Sequence, residues 1–362
     1  MRVKNVKIQN FRNLIDLNVF FSSNISIITG KNAVGKTSIL EAINCLSTLK
    51  SFRTNNYGEM INTFSDYFFL ECNLEAIESI EKVSLYCDNH SKTLKQNNFL
   101  HKKFSDYIGF FNVVSFSALD FFKIVGAASE RRKMFDLVFC QISKDYLFMS
   151  NYYKKLLKDR NTLLKRLSFE NRSDLQNLLD VVTDQLISQG NKMISFRKEH
   201  CKILSEFSKI KHYKISDERE EFKLTYQPSV DTLTKQIYES SYEEDLRKGY
   251  TTIGPHRDDY IFIINNKNVS MFGSQGQQRN AMISVKLAMA DLIFKIKKEA
   301  PTLLLDDVFS ELDKNRQNAL INSLDSNYQT IITTASISDL DNTILDKAQI
   351  VRIEKGEIRY GR

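Results

Sequence analysis

No stretch of this 362-residue chain approaches the roughly 20 consecutive apolar residues that a membrane-spanning helix needs. The polar opening Met1-Arg2-Val3-Lys4 also lacks the apolar core of a secretory signal, so a cytoplasmic protein is expected. Cysteine is sparse. Cys45, Cys72, Cys87, Cys140 and Cys201 are odd in number and none sits at metal-ligand spacing from another, which suits buried thiols in a reducing compartment. The five histidines are scattered as well, so no zinc site is expected. No aromatic stacking platform or base-reading module stands out. Any nucleic-acid contact is therefore expected to go to the backbone, without strong sequence preference.

What is present is ordinary in bulk and unusual in distribution. At 42% apolar and 26% charged residues the chain has the composition of a soluble globular protein, long enough for two or more cores. Its net charge of +7 is concentrated. Residues 130 to 214 hold 18 Lys and Arg against 10 Asp and Glu, a local excess of +8, while the remainder is balanced at 33 against 34. A basic segment of this kind fits phosphate-backbone contact, and it fits a merely solvated face equally well. Arg131, Arg132 and Lys133 are the candidate DNA contacts.

The stretch that organises the rest is Gly30-Lys31-Asn32-Ala33-Val34-Gly35-Lys36-Thr37. Glycines at this spacing let a strand-to-helix turn aim successive backbone N–H groups at a polyphosphate, and the helix N-terminus adds its positive pole. Lys36 is expected on the β- and γ-phosphates and Thr37 on Mg²⁺, with ATP as the cofactor. The context agrees: Ile25 to Thr29 reads as a short apolar strand, and Ser38 to Leu49 has helical spacing. Pro301 to Asp307 reads as a buried strand ending in two carboxylates. Asp306 is the expected metal-side ligand, and Asp307 the group that polarises an attacking water.

A second phosphate-binding surface is expected at Ser274-Gln275-Gly276-Gln277, which opens a long helix with a hydroxyl, a glycine and free N–H groups. One γ-phosphate seldom needs two such surfaces from one subunit. Two copies facing head to tail would each lend one to the other, with Ser310 and Asp313 at the same seam. Thr333 and Thr334 close another buried strand, so any γ-phosphate sensing there must be by hydroxyl. Elsewhere, residues 66 to 96 read as an antiparallel sheet, and Glu130–Ser143, Lys144–Leu167 and Ser173–Ile210 as helices whose apolar stripes pack together. His256 and Arg257 fit either a place near the nucleotide or an internal structural pair.

The order of these motifs resembles the RecF family of bacterial recombination mediator ATPases. The likeness rests on the cradle, Ser274 to Gln278, Leu303 to Asp313, Ile8 to Asn13, Leu157 to Lys165 and Gly254 to Asp259. The resemblance implies an α/β fold: an ABC/SMC-type P-loop ATPase head with an antiparallel β-subdomain and an inserted helical lobe. The head would comprise residues 1–125 and 249–362, and the basic lobe 126–248. It further implies an ATP-dependent homodimer that binds double-stranded and gapped DNA, hydrolyses ATP slowly, and works with RecO and RecR to load recombinase. The chain departs from the family between Phe116 and Asp136, where Ala118-Leu119-Asp120 and Gly126-Ala127-Ala128 replace proline-containing segments. Two other readings stand beside this one. A transporter's nucleotide-binding subunit shares the cradle and signature, and a structural clamp could retain a nucleotide site with negligible hydrolysis.

Overall fold

The computed structural model describes every residue except 55, 77, 78, 170, 171, 217, 325, 355, 356 and 362. In chain order the strands begin with β1 (Arg2–Phe11), β2 (Leu14–Phe20), β3 (Ile25–Thr29), β4 (Tyr67–Glu75) and β5 (Ile80–Asp88). There follow β6 (Lys92–Gln96), β7 (Phe99–Leu100), β8 (Val113–Ser117), β9 (Phe222–Gln227) and β10 (Asp259–Ile264). The last five are β11 (Lys267–Asn268), β12 (Thr302–Asp306), β13 (Gln329–Thr334), β14 (Ala348–Glu354) and β15 (Glu357–Gly361).

These strands form three sheets. The antiparallel sheet runs β2-β1-β4-β5-β6-β7. In β4 and β5 alternate residues are buried, as a sheet with one solvated face requires. β1 is less regular. Its buried residues Val3, Val6, Ile8 and Phe11 break the two-residue period because the register shifts between Val3 and Asn5, and because Asn10 adopts a positive φ of 54°. The second sheet runs β15-β14-β3-β13-β12-β8; β14, β3, β13, β12 and β8 are mutually parallel, and β15 closes the edge antiparallel. All six residues of β13 are buried, as are Thr302 to Leu305 of β12, because both faces of this sheet are covered. The third sheet, β11-β10-β9, joins the middle of the chain to its C-terminal part.

The helix Lys36–Thr48 lies between the first two sheets and touches strands of both. Every residue from Ser38 to Thr48 is buried. Ile39, Leu40, Ile43 and Leu46 pack in one cluster with β1, β4 and β5 and with Leu304 and Ile331 of the parallel sheet. The buried carboxylate of Glu41 is matched by Arg12, whose Nε and Nη2 donate to it at 3.1 and 2.6 Å. An unpaired charge there would cost several kcal/mol.

The helical lobe packs Lys144–Leu167 antiparallel along the 43-residue helix Ser173–Ile215, which also meets Gln275–Lys297. The long helix runs five residues beyond the expected end, and at roughly 65 Å it remains a compact hairpin element rather than an extended arm. Its interior holds charges. Arg160, 1% exposed, donates to Asp245 at 2.7 Å and to the hydroxyl of Thr251 at 2.8 Å. Arg197 donates to Asp136 at 2.9 Å, to the Tyr146 hydroxyl at 2.9 Å and to Asp258 at 3.1 Å. The segments Leu157–Lys165 and Gly254–Asp259 thus take part in joints that tie the two long helices to residues 245–258.

His256 belongs to that joint. Its Nδ1 lies 2.9 Å from the Tyr153 hydroxyl and its Nε2 2.9 Å from the carbonyl of Thr251, a pairing that suits the neutral ring, with Nε2–H donating and Nδ1 accepting. Burial pushes its pKa down to about 4. Below its ordinary value near 6.5 the unfolded chain takes up a proton that the folded chain refuses, so this residue's contribution to stability falls as pH drops from 6.5 to 4. The loss should reach about 3 kcal/mol. Denaturant unfolding of wild type and His256→Gln across that range should show the difference between them shrinking toward low pH.

Candidate nucleotide site

The strand β3 ends in the turn Gly30 to Gly35, and the helix begins at Lys36. Two glycines are required there. A side chain at Gly30 would come within 2.5 Å of the Ile353 carbonyl oxygen, and one at Gly35, where φ is 104°, within 2.4 Å of Leu14 Cδ2. Asn13 braces the turn from outside: its Nδ2 donates to the Ala33 carbonyl at 2.8 Å and its Oδ1 accepts from Ser38 Oγ at 2.9 Å. Lys31, Asn32 and Ala33 are exposed at the loop tip, and Val34 is half-buried. Lys36 Nζ donates to the carbonyls of Gly30 and Lys31 at 2.6 and 2.9 Å. Partial burial lowers its pKa, against the opposing pull of Asp307 and Asp306.

The acidic pair arrives on β12, in parallel register with β13, which itself neighbours β3. Asp306 Oδ1 accepts from Thr37 Oγ1 at 2.9 Å and from Thr333 Oγ1 at 2.8 Å. Burial raises its pKa in spite of those two donors and the opposing charge of Arg53. A hydroxyl and a desolvated carboxylate in hydrogen-bond contact form the hard-oxygen set that suits Mg²⁺. Asp307 is exposed, with a positive φ of 53°, and its N–H donates to Thr333 Oγ1 at 3.0 Å. The Thr333 hydroxyl is therefore engaged on both sides. Thr334 Oγ1 donates to the Ser336 carbonyl, so neither threonine offers a free donor for γ-phosphate sensing. Lys36, Thr37 and Asp307 share one cleft of about 910 Å³ with Arg12, Arg53 and Phe64.

Ser274 caps the helix Gln275–Lys297 in a reciprocal box: its Oγ accepts from Gln277 N at 3.2 Å, and Gln277 Oε1 accepts from Ser274 N at 3.0 Å. Ser274 and Gln275 are exposed, and none of the four signature residues lines the cradle cleft. Gly276 sits against Arg316, whose guanidinium would lie 3.1 Å from an added Cβ. Arg316 pairs in turn with Asp313, the cap of the helix Lys314–Ser323, and Ser310 Oγ donates to the Asp307 carbonyl at 2.8 Å. The Ser310–Asp313 segment therefore ties the acidic strand end to the signature helix within one chain. The side chain of Glu311 lies outside the described residues.

The DNA candidates separate. Arg131 is corrected to a structural residue: it is buried, donates to both oxygens of Asp259 at 2.7 Å, and spends Nη1 on the carbonyls of Lys123, Ile124 and Gly126. Arg132 is half-committed through Nη1 to the Asp258 carbonyl. Lys133 alone remains on the surface, 2.7 Å from Glu130. Arg257 is exposed, donates to the Thr251 carbonyl and packs its guanidinium over Tyr250, while His256 bonds the same carbonyl; neither residue lines the cleft of Lys36. The altered segment is anchored by Asp120, which boxes with Ser117 and pairs with Lys123 and the buried Lys286.

The RecF/RecN/SMC N terminal domain family model matches residues 2–358. The DNA replication and repair protein RecF of Bacillus cytotoxicus is 38% identical over 369 residues, covering 99% of this chain and 98% of the relative. The chain belongs to the RecF family. RecF of Bacillus thuringiensis is 37% identical with the same coverage. A solved structure of the recombination mediator protein RecF-ATP in the RecFOR pathway superposes with a TM-score of 0.89 at 30% identity, covering 100% of this chain and 98% of that one. The Smc head domain from Pyrococcus furiosus matches with a TM-score of 0.56 at 14% identity, a likeness of fold alone. The expected ABC/SMC-type head with mixed and antiparallel sheets is thus what the RecF fold presents. Among the described residues no helix is long and apolar enough to cross a membrane.

Sequence reasoning missed Asn13 and Ser38 as braces of the loop, although Asn13 stood in the quoted Ile8–Asn13 segment. Gly35→Ala should disrupt the helix cap and displace Leu14. Destabilisation of at least about 1–3 kcal/mol by denaturant unfolding, with nucleotide binding lost by calorimetry, is the expected result.

Proposed function

We propose that this chain is a cytoplasmic ATP-dependent DNA-binding protein of recombinational repair, which pairs with a second copy on ATP and uses slow, DNA-stimulated hydrolysis as a conformational switch. The observation that carries the reading is the meeting of Lys36, Thr37, Asp306 and Asp307 at one strand-end mouth, reached from two distant parts of the chain. Lys36 exchanges its two loop carbonyls for the β- and γ-phosphate oxygens. Backbone N–H groups from Gly30 to Thr37 would bind the phosphates at the N-terminus of the helix. Thr37 and Asp306, joined by a 2.9 Å hydrogen bond, are the residues that would hold Mg²⁺. Mg²⁺ bound there supplies neutralisation of the charge on the phosphates.

Asp307, exposed at the mouth, orients the attacking water and accepts its hydrogen bond. Ser274 and the N–H groups that follow it serve the nucleotide of the facing copy, consistent with their absence from the chain's own cleft. The link from Asp307 through Ser310, Asp313 and Arg316 to Gly276 gives each copy a route by which its two half-sites sense each other. The basic excess of residues 130–214, with Lys133 and the surface lysines of the lobe, supplies backbone contacts to double-stranded and gapped DNA. The solved RecF-ATP relative acts in the RecFOR pathway, which supports RecO and RecR as partners.

Lys36→Ala removes charge-assisted bonds worth about 1.5–3 kcal/mol each, so affinity for Mg-ATP should fall at least about tenfold with the fold intact. Calorimetric titration of the folded variant tests this, and undiminished ATP affinity would remove the cradle from the account.

A further inference from the structure

The phosphate end of the cleft is accounted for by Lys36, Thr37 and the acidic pair. Two further residues that border the same cleft are not: Ile15 on β2 and Phe64, which are 70% and 95% exposed. Single apolar residues on a surface are ordinary, but these two open into the same cleft as the phosphate loop.

The backbone that carries Phe64 is not loose. Ile61 bridges to Phe11 of β1, and Asn62 N donates to the Asn10 carbonyl at 2.8 Å. Asn62 Nδ2 donates to the Arg12 carbonyl at 2.7 Å, and its Oδ1 accepts from the N–H of Phe64 itself at 3.1 Å. A pinned loop therefore holds an aromatic ring in water beside the phosphate loop, 95% exposed among the described residues. The backbone beneath the ring is thus pre-organised, and only the torsions of the Phe64 side chain remain to be fixed when a flat ligand settles on it.

A second cleft of about 790 Å³ lies on the far side of the loop, bordered by Arg352, Arg359, Glu354 and Glu357. It shares Gly30 and Lys31 with the loop but none of Lys36, Thr37 or Asp307. Its apolar wall, Ile353, is already buried in the core. A base placed there would be cut off by the loop from the groups that hold the phosphates.

We propose that Phe64, together with Ile15, is the shelf on which the base of the bound nucleoside triphosphate stacks, making Phe64 a positioning residue for the nucleotide. This rests on the reading of Gly30 to Thr37 as a phosphate cradle. Stacking on a ring face is tolerant of base identity, so the shelf adds affinity for a nucleoside as such rather than choosing adenine over guanine.

The test compares Mg-ATP with Mg-inorganic tripolyphosphate, titrated calorimetrically into the full chain and into Phe64→Ala and Phe64→Tyr. Wild type should bind ATP more tightly than tripolyphosphate. Phe64→Ala should weaken ATP about tenfold and leave tripolyphosphate within about twofold, and Phe64→Tyr should restore ATP binding. Unchanged ATP affinity in Phe64→Ala would overturn the shelf while leaving the cradle standing. Equal loss of both ligands would overturn it too, since the loop rather than the ring would then be responsible. Failure of wild type to bind either ligand would overturn the cradle and the shelf with it.

Discussion

The architecture depends on burying, on every side, the helix that follows the glycine turn Gly30 to Gly35. From Ser38 onward Lys36–Thr48 is enclosed between the antiparallel and parallel sheets. Each of Ile39, Leu40, Ile43 and Leu46 contributes roughly 1.5–3 kcal/mol by leaving water. Enclosure makes Glu41 a problem that Arg12 solves, and Arg12 begins the turn whose next residue, Asn13, braces the phosphate loop. The position of the loop is thereby set by the core. A shift of the cradle would have to disturb both sheets.

The lobe is held to this frame by charge rather than by apolar packing alone. Arg197 with Asp136 and Asp258, Arg160 with Asp245, and Arg131 with Asp259 join three long helices to the chain that returns toward the signature. Buried pairs of this kind add little net stability but fix geometry, because each side chain has only one arrangement in which its charge is met. Arg131 also gathers the carbonyls of Lys123, Ile124 and Gly126 in the middle of the segment 116–136 that departs from the family pattern. The departure leaves that segment anchored, through Asp120 and Lys286 at its start and Arg131 at its end.

The strand, glycine turn and helix around residues 25–48, the strand that ends at Asp306 and the long helices were legible in the sequence because each rests on short-range chemistry: glycine spacing, an apolar run ending in carboxylates, and three-four periodicity. β9 was not, since its six residues are a strand only by pairing with β10, some thirty residues away. The buried face of β1 was obscured by a bulge that shifts its period. Arg131 was misread because a charge count cannot say which side of a helix faces the core; only Asp259, 128 positions further on, decides it. The pairing of Thr333 with Asp306 was hidden for the same reason, as it depends on the register between β12 and β13.

The central claim is that one chain carries two incomplete halves of a nucleotide site, a cradle and a signature, which are completed only by a facing copy. Mixing Lys36→Ala protomers with Ser274→Arg protomers tests it most directly, because each pairing of the two variants contains one intact cradle facing one intact signature. The account predicts that the mixture, with Mg-ATP and gapped DNA, recovers ATP hydrolysis that neither variant shows alone. A mixture no more active than the sum of its parts, beside an active wild type, would contradict it.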